Sequence, residues 1–287
     1  QNTMANSIKA GVKGFLKRYT WRELEPSEGN YDFSEIASDL SFLSGQGMHL
    51  IVMVEDKTFV NEQPLPQYLA AQTVRNKSGG YTAVRWNQKI VTRMSALYAA
   101  LGDRFDSDPY FEGLATLESA PSLDDSTMNA TAYTPEKYRD ALIDVLSAGA
   151  VGAPTSRMIW YMNFLPRKQG YIADVANAVA PLGVVLGGPD VMPDHVALQR
   201  LTYPFYQQFS GKMPLAVQVE PICYSHPHAD KSLPTKYWTM DELFRYSRDN
   251  LDVNYMIWVR FPKADYYNSY DYFDALPVIE NNPIFNQ

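Results

Sequence analysis

Seven short apolar runs punctuate the chain: GVKGFLKRYTW (11–21), HLIVMVED (49–56), FEGLATLES (111–119), RMIWYMNF (157–164), GVVLGGPD (183–190), LAVQVEP (215–221) and YMIWVRF (255–261). Each has the length and the β-branched or aromatic content of a buried strand. Between them the apolar positions recur with helical spacing, which predicts helices over 32–47, 86–105, 134–149, 171–183, 195–209 and 240–251. Ile90, Met94, Leu97 and Leu101 make one such stripe. The third helix opens on Thr134 with Pro135 at its first position, where the missing N–H costs nothing. Pro204 breaks or kinks the fifth.

Strand–helix alternation with near-continuous apolar strands predicts an α/β fold with a parallel sheet, either a doubly wound open sheet or a (β/α)8 TIM barrel. No G-x-G-x-x-G or G-x-x-x-x-G-K-[ST] motif opens a helix, which weakens the nucleotide-binding open sheet. The strand ends instead carry Trp21, Glu55, Asp56, Glu118, Asn163, Asp190, Glu220 and Trp258. Side chains capable of chemistry at the ends of many parallel strands are what the C-terminal face of a barrel requires. The expectation is therefore a single barrel domain over 1–287. With seven strands visible, the first either hides within residues 1–10 or the chain starts partway through the fold. Residues 57–85, with Pro64, Pro66, Gly79 and Gly80, read as a long loop, and long loops at a cleft suit a polymeric substrate.

Composition narrows the function classes. The net charge of -7 offers no basic stripe for nucleic acid. No apolar run approaches the ~18 residues of a membrane span. Cys223 is the only cysteine, so no internal disulfide forms. QNTMANSIKAG lacks the charged and apolar regions of a secretory leader, leaving secreted, periplasmic and cytoplasmic locations open. No cofactor motif is present. The 20 Tyr and 5 Trp suit both a core and stacking on sugars.

WRELEPSEGNYDFSEI (21–36) contains W-x-x-L-E-P-x-x-G-x-Y-D-F, followed by a helix and an apolar strand. This resembles the clan A glycoside hydrolases, (β/α)8 enzymes that include cellulases, mannanases and β-galactosidases. In that clan the motif follows the second strand. FEGLATLES then takes the place of strand four and LAVQVEP that of strand seven, whose ends carry the acid/base and the nucleophile. The resemblance thus implies Glu118 as acid/base, Glu220 as nucleophile, a carbohydrate substrate and no cofactor. It also implies Arg18 as a partner of the nucleophile and Trp258 as a platform under the sugar. One departure stands out: Leu117 occupies the place of the asparagine that holds the substrate 2-hydroxyl. Asn163 is a candidate substitute.

The residues themselves fit glycosidic cleavage. That reaction needs a proton donor and a second carboxylate, about 5–5.5 Å apart in retaining enzymes. Alternation puts Leu114, Thr116 and Glu118 on one strand face and Ala216, Gln218 and Glu220 on one face of another. Glu55 and Asp56 are rivals for the carboxylate roles, or simply ion-pair partners of Lys57 or Arg18. Asp190, in a glycine-rich turn, is a candidate or a capping acid. Glu25, before Pro26, reads as structural. Trp21, Tyr161, Tyr224 and Trp238 are lesser platform candidates. His226 and His228 fall short of the three ligands a metal needs and read as contacts to substrate or water. Two other functions compete: a carbohydrate-binding barrel without catalysis, and a metal-assisted barrel enzyme using Glu55, Asp56 and Asp190. Oligomeric state is not legible.

Overall fold

The computed structural model describes residue 4 and residues 11–188, 190–260 and 272–282. The chain forms two compact units, residues 14–184 and residues 1–13 with 185–287.

Residues 14–184 begin with β1 (Gly14–Thr20), a short helical turn α1 (Trp21–Leu24), α2 (Ser34–Ser44) and β2 (His49–Glu55). A hairpin, β3 (Thr73–Arg75) and β4 (Tyr81–Ala83), precedes α3 (Gln88–Phe105) and β5 (Phe111–Ala115). Then come α4 (Asp125–Ala130), α5 (Pro135–Gly152), β6 (Arg157–Tyr161) and α6 (Tyr171–Val179). The four long-range strands are parallel in the order β1-β2-β5-β6. Thr20 pairs with Glu55, and Met53 with Ala115, so the ends of neighbouring strands lie side by side. Leu50, Val52, Met53, Leu114, Ala115, Ile159 and Trp160 are all completely buried. Each large apolar side chain so buried contributes roughly 1.5–3 kcal/mol. This explains why these strands are apolar on both faces. On the sheet, α3 packs against α5 backbone to backbone, and a Cβ on Gly102 would lie 2.1 Å from the Gly152 carbonyl oxygen.

The second unit contains β7 (Val185–Gly187), α7 (Val196–Leu201), α8 (Tyr203–Phe209), β8 (Ala216–Val219) and α9 (Pro221–Ser225). It continues with α10 (Met240–Asp249), β9 (Tyr255–Trp258) and α11 (Leu276–Asn281). β8 and β9 run parallel from Ala216↔Tyr255 to Val219↔Trp258, and β7 joins β8 through Leu186↔Leu215. The Tyr206 hydroxyl on α8 donates to the Ala216 carbonyl at 2.8 Å and ties helix to strand.

All seven expected strands are present, shorter by a few residues. The helix expected over 195–209 is two helices. The chain turns at Thr202, and Pro204 falls in the first turn of α8, where it is tolerated. The supposed loop 57–85 is partly built: a 3-10 turn (Gln67–Gln72) leads into the hairpin. Short strands and α4 lack the long periodicity that makes an element visible in sequence. Phe261 and, apart from Met4, residues 1–10 lie outside the described residues.

Candidate active site

The W-x-x-L-E-P motif builds the turn that follows β1. Thr20 and Glu23 form a reciprocal cap at the start of α1. Trp21 is fully buried, and its indole N–H donates to Glu25 Oε2 at 2.8 Å. Glu25 is equally buried and also accepts from Gly29 N and the Arg93 guanidinium. Trp21 therefore presents no face to a ligand, and Glu25 is a structural acid, as its place before Pro26 suggested.

Glu118 lies three residues beyond β5, about a quarter exposed. Both of its oxygens accept. Lys57 Nζ donates to Oε1 at 2.5 Å and Asn163 Nδ2 to Oε2 at 2.6 Å. Both oxygens are thus held by nitrogen donors from two different elements. Lys57 is completely buried and also donates to Ala120 O at 3.0 Å and Ser122 Oγ at 2.7 Å. Burial pushes the Lys57 ammonium below its ordinary value, against the pull of Glu118. Asn163 Oδ1 accepts from Ser119 Oγ and the Ala120 and Phe164 amides. Asn163 is thus engaged in positioning Glu118 and its loop.

The backbone under Glu118 is pinned as well. Arg85 Nη1 donates to the Glu118 carbonyl at 2.6 Å, and Tyr138 Oη to that of Ser119 at 2.6 Å. Arg85 in turn grips Asp56 with two 2.7 Å hydrogen bonds, both side chains nearly buried. Asp56 is therefore the partner of Arg85, rather than of the expected Lys57 or Arg18. Val54, Asp56, Arg85, Thr116, Leu117 and Tyr138 line a cavity of ≈ 40 Å³. It is far smaller than a ligand pocket of about 300 Å³ or more, though it has room for water. Leu117 is 5% exposed and belongs to this interior. Thr116 and Leu117 line the same cavity, so the alternation expected through Leu114, Thr116 and Glu118 ends at β5. The Thr116 hydroxyl takes over the ladder by accepting from Tyr161 N at 3.1 Å.

Glu55 ends β2 with its side chain 20% exposed. Arg18, 42% exposed, approaches it at 3.9 Å. Burial raises the Glu55 carboxyl above its ordinary value; Arg18 opposes this, while Asp56, Glu23 and Glu62 reinforce it. A carboxyl held high contributes stability below its unfolded value and loses it as pH rises through its folded value. Glu55→Gln should therefore raise Tm by ~2 °C at pH 7 and leave it unchanged at pH 4, as scanning calorimetry at the two pH values will show.

In the second unit Glu220 directly follows β8 and is half-buried. Gln218 Nε2 donates to Glu220 Oε1, so the two share a face as the alternation predicted. The Glu220 backbone N–H donates to Cys223 Sγ at 3.3 Å, and the Cys223 N–H to the Glu220 carbonyl at 2.9 Å. Trp258 is the register partner of Val219, the residue before Glu220, and is partly exposed at the end of β9. Asp190 bridges to Gln218, and Tyr203 Oη donates to its carbonyl at 2.9 Å. Tyr224 is buried. The His226 ring lies 6.4 Å from that of His195. His228 is buried against Trp238, ring centres 4.1 Å apart. Among the described residues, no cluster of three or more His, Cys, Asp or Glu side chains could hold a metal, and no helix is long and apolar enough to cross a membrane.

Lys57 and Arg85 were not singled out as site residues. Their signals were a lysine following two acids at the end of a buried strand, and one arginine inside the apolar stretch AVRW.

No protein-family model and no curated protein matches the sequence. Solved structures do. A β-galactosidase from the psychrophilic Marinomonas ef1 aligns over 92% of this chain and 54% of its own, with a TM-score of 0.56 and 9% identity. The exo-β-1,4-mannosidase Op5Man5 from Opitutaceae bacterium strain TAV5 aligns over 93% and 48%, with a TM-score of 0.55 and 14% identity. A psychrophilic glycoside hydrolase family 10 endo-β-1,4-xylanase aligns over 91% and 88%, with a TM-score of 0.51 and 11% identity. This chain spans about half the length of the first two. At such identities the likeness is one of fold, and that fold is the (β/α)8 class.

Proposed function

We propose that the protein is a clan A glycoside hydrolase that cleaves a β-linked poly- or oligosaccharide with retention, Glu118 serving as acid/base and Glu220 as nucleophile. The observation that carries this reading is the setting of Glu118: a part-exposed carboxylate at a strand end, fixed through both oxygens and through its own backbone. Such fixation is what a proton-transfer group requires. Glu220 attacks the anomeric carbon while Glu118 protonates the departing oxygen; Glu118 then removes a proton from water as the glycosyl–Glu220 bond breaks. Lys57, whose ammonium is pushed below its ordinary value by burial, donates to the same carboxyl at Oε1. Trp258, beside Glu220, offers an aromatic face to the sugar.

The test is turnover of aryl β-glycosides and β-linked polysaccharides, with the first-formed anomer identified by NMR. A β-configured first product is expected; an α product would overturn retention, and binding without turnover would favour the non-catalytic reading. One observation supports a second assignment of the acid. Glu55 is held towards its protonated form, as a proton donor should be. If Glu55→Gln abolishes cleavage of aryl glycosides while Glu118→Gln retains it, the acid role passes to Glu55.

A further inference from the structure

One exposed aromatic side chain close to Glu118 is left unused by the proposed mechanism. Phe59 is 44% exposed, and Val60 beside it 60%. Lys57 Nζ, which donates to Glu118 Oε1 at 2.5 Å, sits over the Phe59 ring at 4.8 Å from its centre. The ring centre therefore lies within about 7 Å of the carboxylate oxygen, a cation holding the two in fixed relation. The exposed part of the ring is therefore a neighbour of the carboxyl that would meet the linking oxygen.

The ring is exposed but its loop is not loose. Thr58 is buried, and its hydroxyl donates to Val60 O at 3.1 Å and Glu62 O at 2.7 Å. The Thr58 amide donates to Tyr81 O at 2.8 Å, and its carbonyl accepts from Asn76 Nδ2 at 2.9 Å. An aromatic held out in water on an anchored backbone loses little entropy when a ligand covers it.

We infer that Phe59 is the platform for the leaving-group sugar, the residue on the departing side of the cleaved bond. This rests on Glu118 being the acid of a glycoside hydrolase. It predicts a split between substrates with and without a leaving sugar. The probes are β-D-gluco-, galacto-, manno- and xylopyranosyl fluorides and the corresponding β-1,4-linked disaccharides. Phe59→Ala should raise KM for the disaccharide about tenfold and leave fluoride hydrolysis unchanged. Phe59→Trp should preserve both, and Tm should move little because almost half of the side chain is already exposed. Equal effects on both substrates, no effect on either, or a wild-type enzyme that cleaves fluorides but no disaccharide would overturn the platform alone. A wild-type protein that turns over none of the probes would overturn the glycosidase reading and the platform with it.

Discussion

Glu118→Gln should lower kcat on a disaccharide by about 10³-fold, within the range for loss of a general acid–base group. The loss should have a particular shape. Fluoride departs without a proton, so on a glycosyl fluoride the variant should still attack through Glu220 and release one equivalent of fluoride per enzyme. Turnover should then stall, because no base remains to activate water. Glu220→Gln should show no burst on the same probe, since the bond to the anomeric carbon cannot form. Stopped-flow fluoride release separates the two variants. A burst from Glu220→Gln, or normal turnover by Glu118→Gln, would remove the assignment of roles.

The second large effect lies beneath the site. Arg85→Ala should cost ~3–5 kcal/mol of stability in urea unfolding, because it strands Asp56 as an uncompensated buried charge. The guanidinium also donates to the Glu118 carbonyl and to the Tyr138 hydroxyl, which in turn holds the Ser119 carbonyl. Replacing both partners, as Arg85→Met with Asp56→Leu, should recover much of the stability, since an apolar pair has no charge left to desolvate. It should not recover activity, because the tie to the Glu118 backbone is still gone. Stability and turnover measured on the same double variant distinguish these contributions.

The strands were legible because burial on both faces leaves an unbroken apolar signature, as in HLIVMV and RMIWY. Their polar ends, Glu118 and Glu220 among them, were legible for the same reason, standing out against it. The surroundings of Glu118 were not. Lys57 reads as an ordinary surface charge until the fold shows it completely buried, and Asn163 reaches Glu118 from 45 residues away. Trp21 illustrates the converse. Its position at a strand end made it a platform candidate, but the indole N–H satisfies Glu25 inside the turn. Leu117, the departure from the resemblance, faces the interior cavity lined by Asp56 and Arg85. Asn163, the candidate substitute at the substrate 2-hydroxyl, donates its side-chain amide to Glu118.

Gly80 carries no side chain, and a Cβ there would lie 2.1 Å from the Thr58 carbonyl oxygen. Thr58 is the anchored residue that Lys57 and Phe59 flank in sequence. The freedom of this mouth to diversify is therefore bounded by a position with no chemistry of its own. A side chain at residue 80 would push on the backbone that carries the partly exposed ring at residue 59. Any redesign of the ring at residue 59 therefore has to leave residue 80, 21 positions downstream, without a side chain.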